Sequence, residues 1–266
     1  MRVRRPQPAQ WPMTVRQWRQ NCQPRWMRAV YQSLDRLQFA LLPGHCLLCA
    51  MGSNRPLDLC APCEAELPWI THGCRRCALP LPAAELLCGR CQAQEPPFSQ
   101  VVAPLAFAPP LDQLLRDWKQ QPQPALGRLF ADLLASHLRV GRLASAPPPE
   151  LLLPVPSHPR RLRQRGFNQA QELAVGLGRR LGIEVDCHLL KQRGSGVDQR
   201  QLDFKARQRN LRDAFVVKGL LAGRRVAVVD DVVTTGATAQ AMSRVLRRAG
   251  AIEVEVWAVA RTPRRG

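Results

Sequence analysis

Lysine is nearly missing from this chain: of its 39 basic residues only Lys119, Lys191, Lys205 and Lys218 are lysines, and arginine carries almost all of a formal net charge of +19. Codon bias in a GC-rich genome would favour arginine over lysine, but it does not account for a net charge of this size, so polyanions are expected partners. No run of about eighteen apolar residues occurs, and a transmembrane helix is therefore not expected. Residues 1–30, MRVRRPQPAQWPMTVRQWRQNCQPRWMRAV, contain no apolar stretch of the secretory type. A cytoplasmic, reducing location is the expectation. Ten cysteines in such a compartment point to metal rather than disulfides.

The positive charge is unevenly placed. Residues 1–45 hold eight arginines against one acid, Asp35, and residues 151–212 hold thirteen Lys/Arg against five acids, whereas the cysteine-rich stretch 46–98 is close to neutral. In the N-terminal arm, 1–40, Trp11, Trp18 and Trp26 lie between arginines. Arginine and indole together could stack on single-stranded bases or lie on an anionic surface, although a solvated extension is the plainer reading.

A length of 266 residues suits one medium domain and one small one. The reading divides the chain into the arm 1–40, a cysteine domain 41–95 and a second domain 99–266, with QEPPF (94–98) at the boundary. In the second domain VVAPLAF (101–107) reads as a strand, and 111–119 and 125–139 as helices. LLLPVP (151–156) reads as a short buried strand, followed by a basic loop and a helix from about 168 to 181. IEVDCHLL suggests another strand; RRVAVVDD a further one; TGATAQAMSRVLRRAG a helix; and IEVEVWAVAR a last strand. Alternation of this kind predicts an α/β domain with a mostly parallel sheet.

Eight of the ten cysteines form four C-x2-C knuckles, Cys46/Cys49, Cys60/Cys63, Cys74/Cys77 and Cys88/Cys91, with ten residues in every gap. Two such turns present four thiolates to one tetrahedral Zn2+, so two structural zinc ions are expected. Equal gaps allow sequential or crossed pairing, and sequential pairing needs the shorter loops. His45 and His72 adjoin the knuckles and read as loop residues, because eight cysteines already complete two sites. Cys22 and Cys187 lie outside the repeat and read as incidental. So little core fits in this span that metal would supply most of its folding free energy. Near-neutral charge and anionic thiolate clusters argue against nucleic-acid binding by the ribbon itself.

VAVVDDVVTTGAT (226–238) places two carboxylates at the end of a buried strand, before a threonine-rich turn and a helix. Like charges at such a position usually face something polar or cationic. The helix start, the hydroxyls of Thr234, Thr235 and Thr238, and Gly236 make a phosphate cradle at the carboxyl edge of the sheet. Carboxylates just before it can accept hydrogen bonds from a diol. Phosphate and diol together describe a ribose 5-phosphate.

This stretch resembles the phosphoribosyl pyrophosphate (PRPP) signature of type I phosphoribosyltransferases. The resemblance implies that Asp230 and Asp231 hold the ribose hydroxyls and that Thr234, Thr235, Gly236, Ala237 and Thr238 bind the 5-phosphate, with Mg2+ bridging pyrophosphate and ribose oxygens. In the purine-salvage members the position of Thr234 is usually an aspartate acting as base on the nucleobase, so a purine acceptor is disfavoured here. Arg160, Arg161, Arg163 and Arg165, directly after a strand, suit a pyrophosphate.

PVPxHPxRLRxRGFNQA (154–170), QRNLRDAF (208–215) and VVDDVVTTGAT together resemble the ComF family, including its GntX-type members, from about 40 to 262. That resemblance implies a double zinc ribbon before a type I phosphoribosyltransferase-like parallel α/β sheet, and an association with DNA uptake in natural transformation. Gly196 stands where the family commonly has threonine. Two functions are consistent with it: a PRPP-dependent transferase of unassigned acceptor, or a non-catalytic nucleotide-sensing or DNA-binding adaptor. Single-stranded DNA and DNA-uptake proteins are the expected partners beside PRPP. No catalytic residue is assigned; His158 is a candidate base only by its place beside the arginines, and the sequence does not choose between monomer and homodimer.

Overall fold

The computed structural model describes residues 44–83, 86–192 and 214–264. The arm 1–40, Cys22, Gly196 and most of QRNLRDAF lie outside them. Among the described residues the helices are α1 (Ala61–Ala65), α2 (Gly89–Ala93), α3 (Leu111–Gln120), α4 (Pro124–Val140), α5 (Arg142–Ser145), α6 (Pro159–Arg165), α7 (Gln169–Leu181) and α8 (Ala237–Arg248). The strands are β1 (Gln100–Val102), β2 (Leu105–Ala106), β3 (Leu151–Pro154), β4 (Glu184–Val185), β5 (Leu190–Gln192), β6 (Phe215–Val217), β7 (Arg225–Val233) and β8 (Glu253–Arg261).

All pairings of the main sheet are parallel, in the order β1-β8-β7-β3-β4, with β2 continuing along β8 beyond β1. The expected parallel α/β sheet is therefore present. Its central strands β7 and β8 are buried along most of their length, largely by apolar side chains, because helices cover both faces; Glu255 is a charged exception, paired with Arg142. One face packs Ala227, Val229 and Trp257 against Leu115, Trp118, Phe130, Leu134 and Leu173 of α3, α4 and α7. The other packs Val226, Val228 and Val256 against Met242 and Leu246 of α8, with Leu190 and Phe215 from the antiparallel ribbon β5–β6.

The cysteine segment does not stand apart from these cores. Cys46, Leu57, Leu59 and Leu67 join the first, and Ala78 and Cys77 the second. The first ribbon thus shares a hydrophobic core with α3 and α4, which the count of residues between the cysteines did not disclose.

Three local expectations change. The basic loop after β3 contains a helix, α6: Pro159 opens it, His158 Nδ1 accepts the Arg160 N–H at its start, and Gly166 closes it in the left-handed region at φ 79°. IEVDCHLL is two strands in two sheets, since Asp186 Oδ1 accepts the N–H groups of His188 and Leu189 and turns the chain between them. And β7 continues two residues past the aspartates, because Val232 and Val233 still pair with Ala260 and Arg261 of β8.

Candidate functional site

The carboxyl ends of β3 and β7 are neighbours, with Pro154 opposite Val229. Asp230 and Asp231 follow on β7 and α6 follows β3, so the acidic pair and the arginines share one edge of the sheet. Each carboxylate accepts the next backbone N–H: Asp230 Oδ1 from Asp231 at 2.9 Å, and Asp231 Oδ1 from Val232 at 2.8 Å. Asp231 Oδ2 also pairs with Lys119 Nζ at 2.6 Å. Burial pushes the Asp230 carboxyl well above the usual carboxylate range; the Asp231 charge adds to this, and Lys119 opposes it.

Lys119 was not singled out in the sequence, although it is one of only four lysines. The last turn of α3 delivers it, and α3 is fixed through Trp118, which is fully buried and donates its indole N–H to Glu172 Oε2 at 3.2 Å. Burial raises the Glu172 carboxyl. The fit is close at this point: a Cβ at Gly127 would lie 2.2 Å from Glu172 Oε1.

After Val233 the chain turns into α8. Thr234 and Thr235 are exposed, Thr235 Oγ1 accepts the Ala237 N–H at 3.3 Å, and Gly236 precedes the helix at φ 76°, a conformation that favours glycine. A Cβ at Gly236 would meet nothing within 4 Å. The start of a twelve-residue helix therefore faces open space, lined by hydroxyls and backbone N–H groups. Thr262 Oγ1, at the end of the neighbouring strand, is a buried polar atom without a hydrogen-bond partner among the described residues.

The four arginines do not converge. At about 100° per residue, Arg160 and Arg163 share one face of α6, and Arg161 and Arg165 another. Arg160, Arg161 and Arg163 are exposed, while Arg165 donates to Gln169 Oε1 at 3.5 Å. Gln169 is buried and donates to the carbonyl of Trp118, the residue before Lys119, which links Arg165 through Gln169 to the end of α3. Asn168 ties the turn after α6 to β3, donating to the Val155 carbonyl at 3.0 Å and capping α7 through Ala170. His158 caps α6 through Nδ1.

The cysteines group sequentially, Cys46/Cys49/Cys60/Cys63 and Cys74/Cys77/Cys88/Cys91, with all sulfurs of a group within 4.8 Å of one another. Facing sulfurs are 3.7 Å apart in each, at Cys49–Cys60 and at Cys77–Cys88. Four ligands at a Zn–S length of about 2.3 Å in a tetrahedron would stand about 3.8 Å apart, so both groups fit zinc. Burial pushes the Cys46 thiol up, but the N–H groups of Cys49, Cys60 and Leu48 prevail and bring it to about 6. Cys74 likewise falls to about 7, with burial opposed by the N–H groups of Cys88, Cys77 and Arg76. Cys63 and Cys91 are pushed up, the first by its hydrogen bond with Cys60 and the second by burial. Four adjacent thiolates need a cation, which a zinc ion would supply. Cys187, read as incidental, is disulfide-bonded.

A parallel sheet with an acidic pair and a helix start at one edge, joined to two cysteine tetrads, defines an α/β protein that carries a pair of zinc-ribbon-type cysteine sites. Residues 37–92 match the family model of the double zinc ribbon domain. DNA utilization protein YhgH of Escherichia coli (strain K12) is 35% identical over 230 residues, covering 83% of this chain and 98% of that protein. Competence protein F of Haemophilus influenzae is 36% identical over 206 residues, covering 76% of this chain and 84% of that protein. The purine phosphoribosyltransferase structure from Pyrococcus horikoshii Ot3 aligns with 50% of this chain and 80% of its own at 20% identity, with a TM-score of 0.32. The chain belongs to the ComF family of competence and DNA utilization proteins, in its ComF/GntX type.

Proposed function

We propose that this protein binds PRPP with Mg2+ at the edge formed by β3 and β7, and that it serves the handling of incoming single-stranded DNA in the cytoplasm. The observation that carries the reading is the adjacency of Asp230 and Asp231 to the open start of α8. The carboxylates suit the ribose hydroxyls and the Mg2+ beside them; residues 234–238 suit the 5-phosphate, through N–H groups and the hydroxyls of Thr234, Thr235 and Thr238. Mg2+ would supply positive charge to the pyrophosphate. Arg161 and Arg165 are the pair we assign to that pyrophosphate among the four arginines of α6. We also retain the division into an arm 1–40, ribbons 41–95 and a phosphoribosyltransferase-like domain 99–266.

If turnover occurs, an acceptor nucleophile bonds to C1 of the ribose as the C1–O bond breaks, and pyrophosphate leaves with the electron pair. The protein's part is to orient the sugar and stabilise charge. With His158 engaged as a cap and threonine at 234, the site presents no evident general base among the described residues. This favours, as a second reading, a sensor that binds PRPP without consuming it. Pyrophosphate release measured with a panel of amines, bases and single-stranded DNA separates the two: release with any acceptor supports the transferase, and binding without release supports the sensor.

Calorimetric titration with PRPP and Mg2+ tests the site. The double change Arg161→Gln/Arg165→Gln is expected to weaken binding about tenfold or more, and Arg160→Gln/Arg163→Gln less than about threefold. Equal losses would refute the assignment. For DNA, fluorescence anisotropy of a single-stranded oligonucleotide should show affinity falling steeply with salt, with a log–log slope of about −0.7 per phosphate neutralised. Deleting residues 1–40 should flatten that slope; an unchanged slope removes the arm from the interface.

A further inference from the structure

Two arginines join the second cysteine tetrad to the loop after β7. Arg90 lies between Cys88 and Cys91 and donates from Nη1 to the carbonyl of Thr235 at 3.0 Å. Arg261 closes β8 and is buried; its Nε donates to the carbonyl of Cys77 at 2.9 Å, and its Nη1 to the carbonyls of Val233 at 3.0 Å, Thr262 at 3.1 Å and Thr234. Neither forms an ion pair with a carboxylate among the described residues. We infer that the second tetrad is a working part of the sugar-phosphate site, with Arg90 and Arg261 as positioning residues that carry its geometry to the phosphate loop; the inference rests on the PRPP reading of that loop.

In a planar trans peptide the carbonyl of one residue and the N–H of the next point in opposite directions. Holding the carbonyls of Val233, Thr234 and Thr235 toward the ribbon therefore turns the N–H groups of Thr234, Thr235 and Gly236 away from it. Those N–H groups lie in the stretch read as the phosphate cradle. Three consecutive carbonyls anchored by two guanidiniums fix a turn that Gly236 would otherwise leave adjustable.

Charge completes the coupling. Four thiolates around Zn2+ carry a formal charge of −2, and the two guanidiniums beside the second tetrad balance it. The first tetrad has no such link among the described contacts. Its neighbours are Asp58, whose carbonyl accepts the Leu47 N–H, and Arg128 of α4, paired with Asp58 at 2.7 Å. Zinc at the second tetrad, and not at the first, is thus the one that sets affinity for the phosphate.

The test uses the full zinc-loaded chain. Arg90→Ala should keep its zinc content and melt within about 2 °C of the parent, yet bind PRPP–Mg2+ about tenfold more weakly by calorimetry, with Arg90→Lys recovering part of the loss. Without PRPP, the amide NMR signals of Thr234, Thr235 and Gly236 should shift in Arg90→Ala and in Cys91→Ser but stay in place in Cys49→Ser. An Arg90→Ala protein with unmoved signals and parental affinity overturns the inference. Shifted signals in a parent that binds no PRPP would sustain the coupling and sink the PRPP reading instead. Arg90→Ala is the variant to rely on if Cys91→Ser fails to fold.

Discussion

Changing Asp230 and Asp231 together to asparagine is expected to weaken PRPP binding by at least about a hundredfold while the chain stays folded. Each carboxylate would accept a charge-assisted hydrogen bond from the sugar, and such bonds contribute about 1.5–3 kcal/mol apiece. The single change Asp230→Asn should moreover raise the melting temperature by about 2–4 °C, a shift that corresponds to about 1 kcal/mol in a chain of this size. The reason is the unfavourable burial of the Asp230 carboxyl beside Asp231, which raises its pKa in the folded state. The sign follows from linkage. The raised carboxyl favours the folded state when protonated, so stability of the parent falls as pH rises from the ordinary aspartate value through the folded one. The advantage of Asp230→Asn is therefore largest on the alkaline side of that window and shrinks as pH drops through it. Melting curves of both proteins across that pH range check this. A less stable asparagine variant at neutral pH would show that the carboxylate pair serves the fold rather than a ligand.

Stripping zinc should have the largest effect on stability. A strong chelator, or Cys63→Ser in the first tetrad, is expected to lower the melting temperature by more than about 10 °C. Isolated zinc modules draw on the order of 10–16 kcal/mol from the metal, though part of the core here survives without it. Damage should spread beyond the ribbon, because Leu57, Leu59 and Leu67 share a core with Leu105, Leu115 and Trp118. Differential scanning calorimetry with and without chelator, read beside metal content and thiol reactivity, is the check. A content well below two zinc ions per chain, with eight freely reactive thiols and an unchanged melt, would remove metal from the account.

Much of this architecture was readable from local pattern. β7, β8 and the helices α3, α4, α7 and α8 follow from apolar runs and periodicity, and the knuckle spacing foretold tetrads that the fold then grouped sequentially. What escaped was of two kinds. Short-range effects misled where a side chain redirects the backbone, as Asp186 does within IEVDCHLL and His158 and Pro159 do at the start of α6. Within α6 the helical turn places Arg160 and Arg163 on one face and Arg161 and Arg165 on another. Long-range partners were not legible at all. Lys119 meets Asp231 across 112 positions, Arg90 meets Thr235 across 145, and Arg261 meets Cys77 across 184, separations that no motif spans. These contacts tie the ribbon and α3 to β7 and the loop after it.

On the proposed reading PRPP occupies the edge formed by β3, β7 and the start of α8. Hydrogen exchange of the zinc-loaded full chain, with and without PRPP and Mg2+, addresses it most directly. Protection is expected to appear in peptides spanning 229–240 and 155–168 and to be lost in the Asp230→Asn/Asp231→Asn protein. Saturating PRPP that leaves both segments unchanged, or that protects the double variant equally, would contradict it.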